Sequence, residues 1–213
     1  MSRRDNAASR CPRCQMLGAL CVCALVPTPP LVTRTRLVLF LHRDEARKPT
    51  NTGQLAAACV AASEVIVRGH EGQPSAPFVA APGTRPVLLF PDDDAVPLAA
   101  SDEPVTLIVP DGTWRQAARV RARVPGLRDL PCAVLPPGPP SRYQLRSEPR
   151  PGGLATLEAI ARAFALLGDV EASAAMERVF AAAVERTLWS RGAITTAQLE
   201  FGLPDGVELH RRY

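Results

Sequence analysis

The sequence predicts an α/β domain built on a mostly parallel sheet with helices on both faces. Short runs that are apolar throughout, rather than alternating, recur along the chain, the pattern of strands buried on both sides. Helix-like stretches separate these runs, so successive strands can lie parallel through crossover connections.

Leu37-Val38-Leu39-Phe40-Leu41 has the length and β-rich content of a buried strand, and a helix-like stretch follows from Gly53 to Ala62. Further strands are expected at Val65-Ile66-Val67, Val87-Leu88-Leu89-Phe90, Val105-Thr106-Leu107-Ile108-Val109 and, weakly, Cys132-Ala133-Val134-Leu135. Helices are expected over Thr113 to Val124, Thr156 to Leu167 and Ala172 to Trp189.

At 213 residues the chain has material for one compact domain and a small appendage. Charged residues make up 22% and mean hydropathy is +0.01, an ordinary globular composition that excludes wholesale disorder. No run approaches the roughly 20 apolar residues of a membrane span, and Met1 to Asn6 lead into no apolar signal core. A cytoplasmic protein without membrane contact is therefore expected. Net charge is +4, which permits nucleic-acid binding without demanding it. Every basic residue except Lys48 is arginine, and Arg115, Arg119 and Arg123 would share one helical stripe. Such a stripe serves equally as a solvated face.

Of six cysteines, Cys11, Cys14, Cys21 and Cys23 cluster as C-x2-C-x6-C-x-C. In a reducing compartment so dense a set binds metal more readily than it forms disulfides. Four thiolates make a closed tetrahedral site, so a structural zinc is expected, an iron–sulfur cluster being the other four-cysteine solution. Cys59 and Cys132 sit in apolar surroundings and read as core. The connector Val26-Pro27-Thr28-Pro29-Pro30 divides the chain into a cysteine knuckle with its linker, residues 1–30, and a main domain, residues 31–213.

Ligands bind at the carboxyl ends of parallel strands, and polar clusters follow the strands here in a repeated way. They are His42 to Gly53, Pro91-Asp92-Asp93-Asp94, Pro110-Asp111-Gly112-Thr113-Trp114, and Tyr143 to Glu148 leading to Thr156-Leu157-Glu158-Ala159. One shared cleft is the expectation. No G-x-S-x-G elbow, Walker lysine, G-x-G-x-x-G turn or deaminase signature is present, which removes the usual hydrolase, kinase, dinucleotide and deaminase readings.

Taken together, the C-x-R-C-x6-C-x-C knuckle, the segment His42 to Gly53, the Asp111-Gly112-Thr113-Trp114 motif and the Leu145-Arg146…Thr156-Leu157-Glu158-Ala159 block resemble the DTW-domain family, over roughly residues 11 to 190. That resemblance implies a SPOUT-like fold with a C-terminal trefoil knot. It also implies a tRNA-uridine aminocarboxypropyltransferase that uses S-adenosylmethionine as co-substrate and tRNA as partner. The 3-amino-3-carboxypropyl group would move to N3 of a uridine, releasing methylthioadenosine. An S-adenosylmethionine-dependent RNA methyltransferase and a non-catalytic zinc-bearing RNA-binding protein are the alternatives.

Set against that chemistry, Asp111 is the general base or a helix cap, and Trp114 a stacking platform or a packing anchor. Leu89, Phe90 and Pro91 would wall the adenine, with Gly112 and Thr113 close to the donor. Arg146 and Glu148 would meet the donor's amino-acid end or pair with each other. Thr156 and Glu158 would border the donor or cap a helix. Arg43, Asn51, Arg115 and Arg119 are the RNA contacts expected. Asp92, Asp93 and Asp94 read as an acidic loop rather than a magnesium site.

Overall fold

The computed structural model describes residues 9–143, 145 and 153–207. Its strands are β1 (Arg36–His42), β2 (Ser63–Arg68), β3 (Arg85–Leu89), β4 (Val96–Pro97), β5 (Val105–Asp111) and β6 (Cys132–Val134). They form one six-stranded sheet in the order β2-β1-β5-β3-β6-β4, and every pairing is parallel. The helices are α1 (Gly53–Cys59), α2 (Trp114–Ala117), α3 (Val120–Arg123), α4 (Thr156–Leu166) and α5 (Val170–Ser190).

Side-chain alternation along β1 explains the two-faced burial. Leu37, Leu39 and Leu41 enter a large core with α1, α4 and α5, while Val38 and Phe40 enter a smaller one with Val120, Val124 and Leu127. All five are essentially buried, and each such side chain contributes about 1.5–3 kcal/mol of transfer free energy. Central β5 is buried along its whole length, which places its last residue, Asp111, under cover at the sheet's carboxyl rim.

Three elements depart from expectation. α1 stops at Cys59 because the backbone of Leu31 takes over: Leu31 N donates to Cys59 O at 2.9 Å and Ala61 N donates to Leu31 O at 2.8 Å. The helix expected over 113–124 is two short ones, with the hydrogen-bond ladder restarting at Arg119, whose carbonyl accepts from Arg123 N at 3.1 Å. The halves serve different surfaces, since Trp114 faces a cavity while Val120 and Val124 are buried in the smaller core. The single arginine stripe is thereby broken. Finally, β4 is an exposed two-residue edge strand with no apolar run to announce it.

The N-terminal segment is packed onto the main core. Cys14, Met16, Leu20, Val22 and Val26 belong to the large cluster. Arg186 of α5, itself buried, donates to the carbonyls of Cys21 and, at 2.9 Å, Gly202. Asp169, at the start of α5, accepts from Arg34 N at 2.9 Å and Thr35 N at 3.0 Å, fixing α5 against the entry to β1. No helix among the described residues is long and apolar enough to cross a membrane.

Candidate functional site

The carboxyl ends of β3, β5 and β6 and the loop after β1 open onto a cavity of about 940 Å³, within the range of cofactor-sized sites. Its floor is Asp111, only 5% exposed. Asn51 Nδ2 donates to Asp111 Oδ2 at 2.6 Å and Thr156 Oγ1 donates to Oδ1 at 2.8 Å. Both carboxylate oxygens thus act as acceptors. Three elements distant in sequence, the end of β5, the approach to α1 and the first residue of α4, are thus tied at one point. Gly53 makes the approach possible, since a Cβ there would lie 2.4 Å from Asp111 Oδ2 and 3.0 Å from Leu39 Cδ2.

Local structure holds Asn51 and Thr52 in place. Asn51 Oδ1 accepts from Gln54 N at 3.4 Å, and Thr52 Oγ1 accepts from Leu157 N at 3.3 Å, joining the starts of α1 and α4. Asp111 is not the cap of the following helix. That role belongs to Thr113, whose Oγ1 accepts from Gln116 N at 3.3 Å while Gln116 Oε1 accepts from Thr113 N at 2.8 Å, a reciprocal capping box. Nor is Thr156 an N-cap: Ala155 occupies that position, which frees the Thr156 hydroxyl for Asp111.

Leu89, Phe90 and Pro91 form one apolar stretch of the lining, next to a rim that includes Gly112, Thr113, Trp114 and Arg115. Trp114 is half-buried and tilted against Phe90, with ring centroids 6.0 Å apart. Asn51 and Thr156 also line the cavity. Glu158 is buried behind that surface and acts on the chain: it accepts from Ser141 Oγ at 2.5 Å, Arg142 N at 2.7 Å and Ala155 N at 3.0 Å. Arg43 sits in the loop after β1 beside Asp44, 3.6 Å away, and Arg119 lies off the cavity altogether. Arg146 and Glu148 fall outside the described residues. Arg121 holds Asp92 at 3.0 Å and Asp94 at 2.5 Å, so these acids already have a cation.

Several cavity residues escaped the sequence reading. The proline-rich turn 136–140 closes one side and Arg162 of α4 reaches the wall beside Gly138, where they join Tyr143, the first residue of a cluster the sequence did place at the cleft. Tyr143 is stacked on Phe180 at 6.0 Å and its hydroxyl donates to Thr50 O at 2.8 Å. The P-P-G-P-P run directly after a strand was the available signal.

The four clustered cysteines converge. Cys11 Sγ is 3.6 Å from Cys23 Sγ, Cys14 Sγ is 3.7 Å from Cys21 Sγ, and all four sulfurs lie within 4.8 Å of one another. Zinc–thiolate bonds of about 2.3 Å in a tetrahedron give sulfur–sulfur edges of about 3.8 Å, close to the two shortest spacings here, so the four could hold a metal ion. Burial raises the Cys11 thiol, but hydrogen bonds from the backbones of Cys14 and Arg13 and from the Cys21 and Cys14 side chains together outweigh it and bring the pKa down to about 6. Cys14 and Cys23 are pushed up, chiefly by burial.

A parallel α/β sheet with a hollow at its strand ends and a four-sulfur knuckle docked on its core defines an α/β domain of the doubly covered type. Comparison with known proteins places it further: residues 8–188 match the DTW domain, and the chain belongs to that family. It is 29% identical over 172 residues to tRNA-uridine aminocarboxypropyltransferase 2 of Drosophila melanogaster, covering 76% of this chain and 68% of that protein. The protein of the same name from Macaca fascicularis is 31% identical over 167 residues, covering 74% of this chain and 56% of its own length. tRNA-uridine aminocarboxypropyltransferase A of Arabidopsis thaliana is 27% identical over 195 residues, covering 72% of that protein. The chain thus spans little more than half of the macaque relative. No solved structure matches it significantly.

Proposed function

We propose that this protein transfers the 3-amino-3-carboxypropyl group of S-adenosylmethionine to N3 of a uridine in tRNA. The observation that carries the reading is the convergence of three motif segments, His42 to Gly53, Asp111 to Trp114 and Thr156 to Ala159, on one cavity through the Asn51–Asp111–Thr156 linkage. Relatives named for this activity support it.

In the reaction, uridine N3 loses its proton and attacks the methylene next to the sulfonium on the amino-acid side. The carbon–sulfur bond breaks, its electron pair stays on sulfur, and neutral methylthioadenosine leaves. The leaving group needs no further activation, so the protein's task is geometric: to present that methylene rather than the methyl. Asp111 takes the N3 proton. Trp114 stacks on a base, a contact that contributes about 1–3 kcal/mol in single-stranded recognition. The apolar wall Leu89-Phe90-Pro91 takes the adenine, and Gly112 and Thr113 border the donor. Arg146 and Glu148 meet the donor's amino-acid end, with Arg162 a further guanidinium for its carboxylate. Residues 1–30 form a zinc-stapled unit seated on the catalytic domain, 31–213, and the zinc is structural, its four thiolates leaving no open position. The location is cytoplasmic, and the SPOUT-like knot belongs to this reading.

The test is transfer from donor labelled in the carboxyl carbon. Label in tRNA together with methylthioadenosine supports the proposal. S-adenosylhomocysteine as product would make the protein a methyltransferase instead, and tRNA binding without any transfer would leave a binding protein.

A further inference from the structure

The turn that begins at Gly112 separates two hollows. Gly112, Thr113 and Trp114 line the large cavity, while Gln116 lines a second concavity of about 370 Å³ on the other side. Three arginines, Arg68, Arg119 and Arg123, and two histidines, His42 and His70, share that second wall, and no carboxylate does.

Arg68 is the anomalous member. It ends the edge strand β2 in register with His42, is 7% exposed, and its Nε is buried with no hydrogen-bond partner. Arg186, equally buried, shows what the fold normally does with such a group: its guanidinium is satisfied by the carbonyls of Cys21, Phe201 and Gly202. Among the described residues no acidic side chain lies within ion-pair distance of Arg68, Arg119 or Arg123. Burial, and then the charge of Arg123, hold the Arg68 pKa below the ordinary arginine value. An unpaired buried cation facing a second cation is costly, and an orphaned buried donor calls for a partner. Gly69 keeps the site compact: its φ is +88°, and a Cβ there would meet His42 Nε2 at 2.7 Å.

We propose that this concavity is an anion site that grips a backbone phosphate of the RNA, one turn of chain away from the hollow that receives the uridine. It rests on the RNA reading above. Guanidinium forks match the oxygens of a phosphodiester, and several can share one such group. The adjacency supplies the source, because a nucleotide inserted beside Trp114 carries its flanking phosphates toward the far side of the same turn.

Binding of tRNA to the full chain over a series of salt concentrations tests this, with Arg68→Met and Arg123→Gln as variants. Each is expected to weaken tRNA binding roughly tenfold and to lower the salt slope by about 1, with donor affinity unchanged. Arg68→Met is also expected to melt higher than the wild type, and inorganic phosphate to raise the wild-type Tm but not the variant's. Should Arg68→Met misfold, the exposed Arg123→Gln decides alone. Wild-type affinity and slope in the variants overturn the proposal, as does a phosphate effect on Tm with no change in tRNA binding, which would mark a site for free anions only. Slope changes in a protein that transfers no label would sink the transferase reading and leave this site standing.

Discussion

Asn51 donates to Asp111 Oδ2 at 2.6 Å across sixty positions of sequence, and the bond is buried. It sets the approach to α1 against the end of β5. With Thr156 on the other oxygen, the carboxylate has one orientation, and that orientation is the floor of the cavity. Order at the site therefore comes from a polar linkage rather than from apolar packing.

Replacing Asp111 with Asn puts an amide NH2 against Asn51 or Thr156, donors that now meet a carboxylate. Leaving a buried donor unsatisfied costs about 1–3 kcal/mol. Denaturant unfolding is expected to show a loss of that size, and single-turnover transfer to fall by at least about a hundredfold if Asp111 is the base. Donor affinity is expected to change far less. Turnover near the wild-type rate removes Asp111 from proton transfer and leaves it a positioning residue.

Gly53→Ala probes the same point from the backbone side. The new methyl would stand 2.4 Å from Asp111 Oδ2 and 3.0 Å from Leu39 Cδ2, so something has to shift. Alanine normally favours helix, yet here overpacking of about 1–3 kcal/mol is expected to exceed that gain. Thermal unfolding checks the sign. A variant more stable than the wild type would show that α1 moves away from Asp111 freely.

Much of this arrangement was legible in the sequence because burial writes itself into strand composition. β1 and β5 are apolar at nearly every position, and the polar clusters after them mark the carboxyl rim. Pairing between those clusters was not legible. That Thr156 spends its hydroxyl on Asp111 depends on Ala155 taking the cap position. Likewise, α2 and α3 share a helical pattern but divide at 118–119, since one half faces the cavity and the other a core. Two-residue β4 has no pattern to read, and Arg68 stands after an ordinary β run with nothing to announce its lack of a partner.

His42 gives a pH signature. Burial lowers its pKa below the usual 6.5, Asp44 and Glu45 work against the shift, and Arg68 and Arg43 add to it. The folded state therefore binds the proton less readily than the unfolded state. His42 contributes stability that is fully present above about pH 6.5 and is lost as pH falls through the lowered folded value. In His42→Gln the decline of stability between neutral and mildly acidic pH is expected to be shallower than in the wild type. An unaltered pH profile would mean that some other group sets it.

The cysteine knuckle yields the last prediction. Four sulfurs with edges of 3.6 and 3.7 Å already have the spacing of a tetrahedral ion, while Cys14, Met16 and Val22 are buried in the main core. Metal affinity and folding of this segment are therefore one equilibrium. In the paired variant Cys11→Ser, Cys14→Ser the metal is expected to be absent by elemental analysis, with lower solubility and weaker tRNA binding. Donor binding should persist, because the cavity is formed from residue 45 onward. Chelation of the wild type should reproduce each effect, since without the cation the Cys14 and Cys23 sulfurs, raised by burial, hold their protons and nothing ties the four side chains together. Undiminished metal content and tRNA affinity in the variant would show that these cysteines do no more than fill space beside α5.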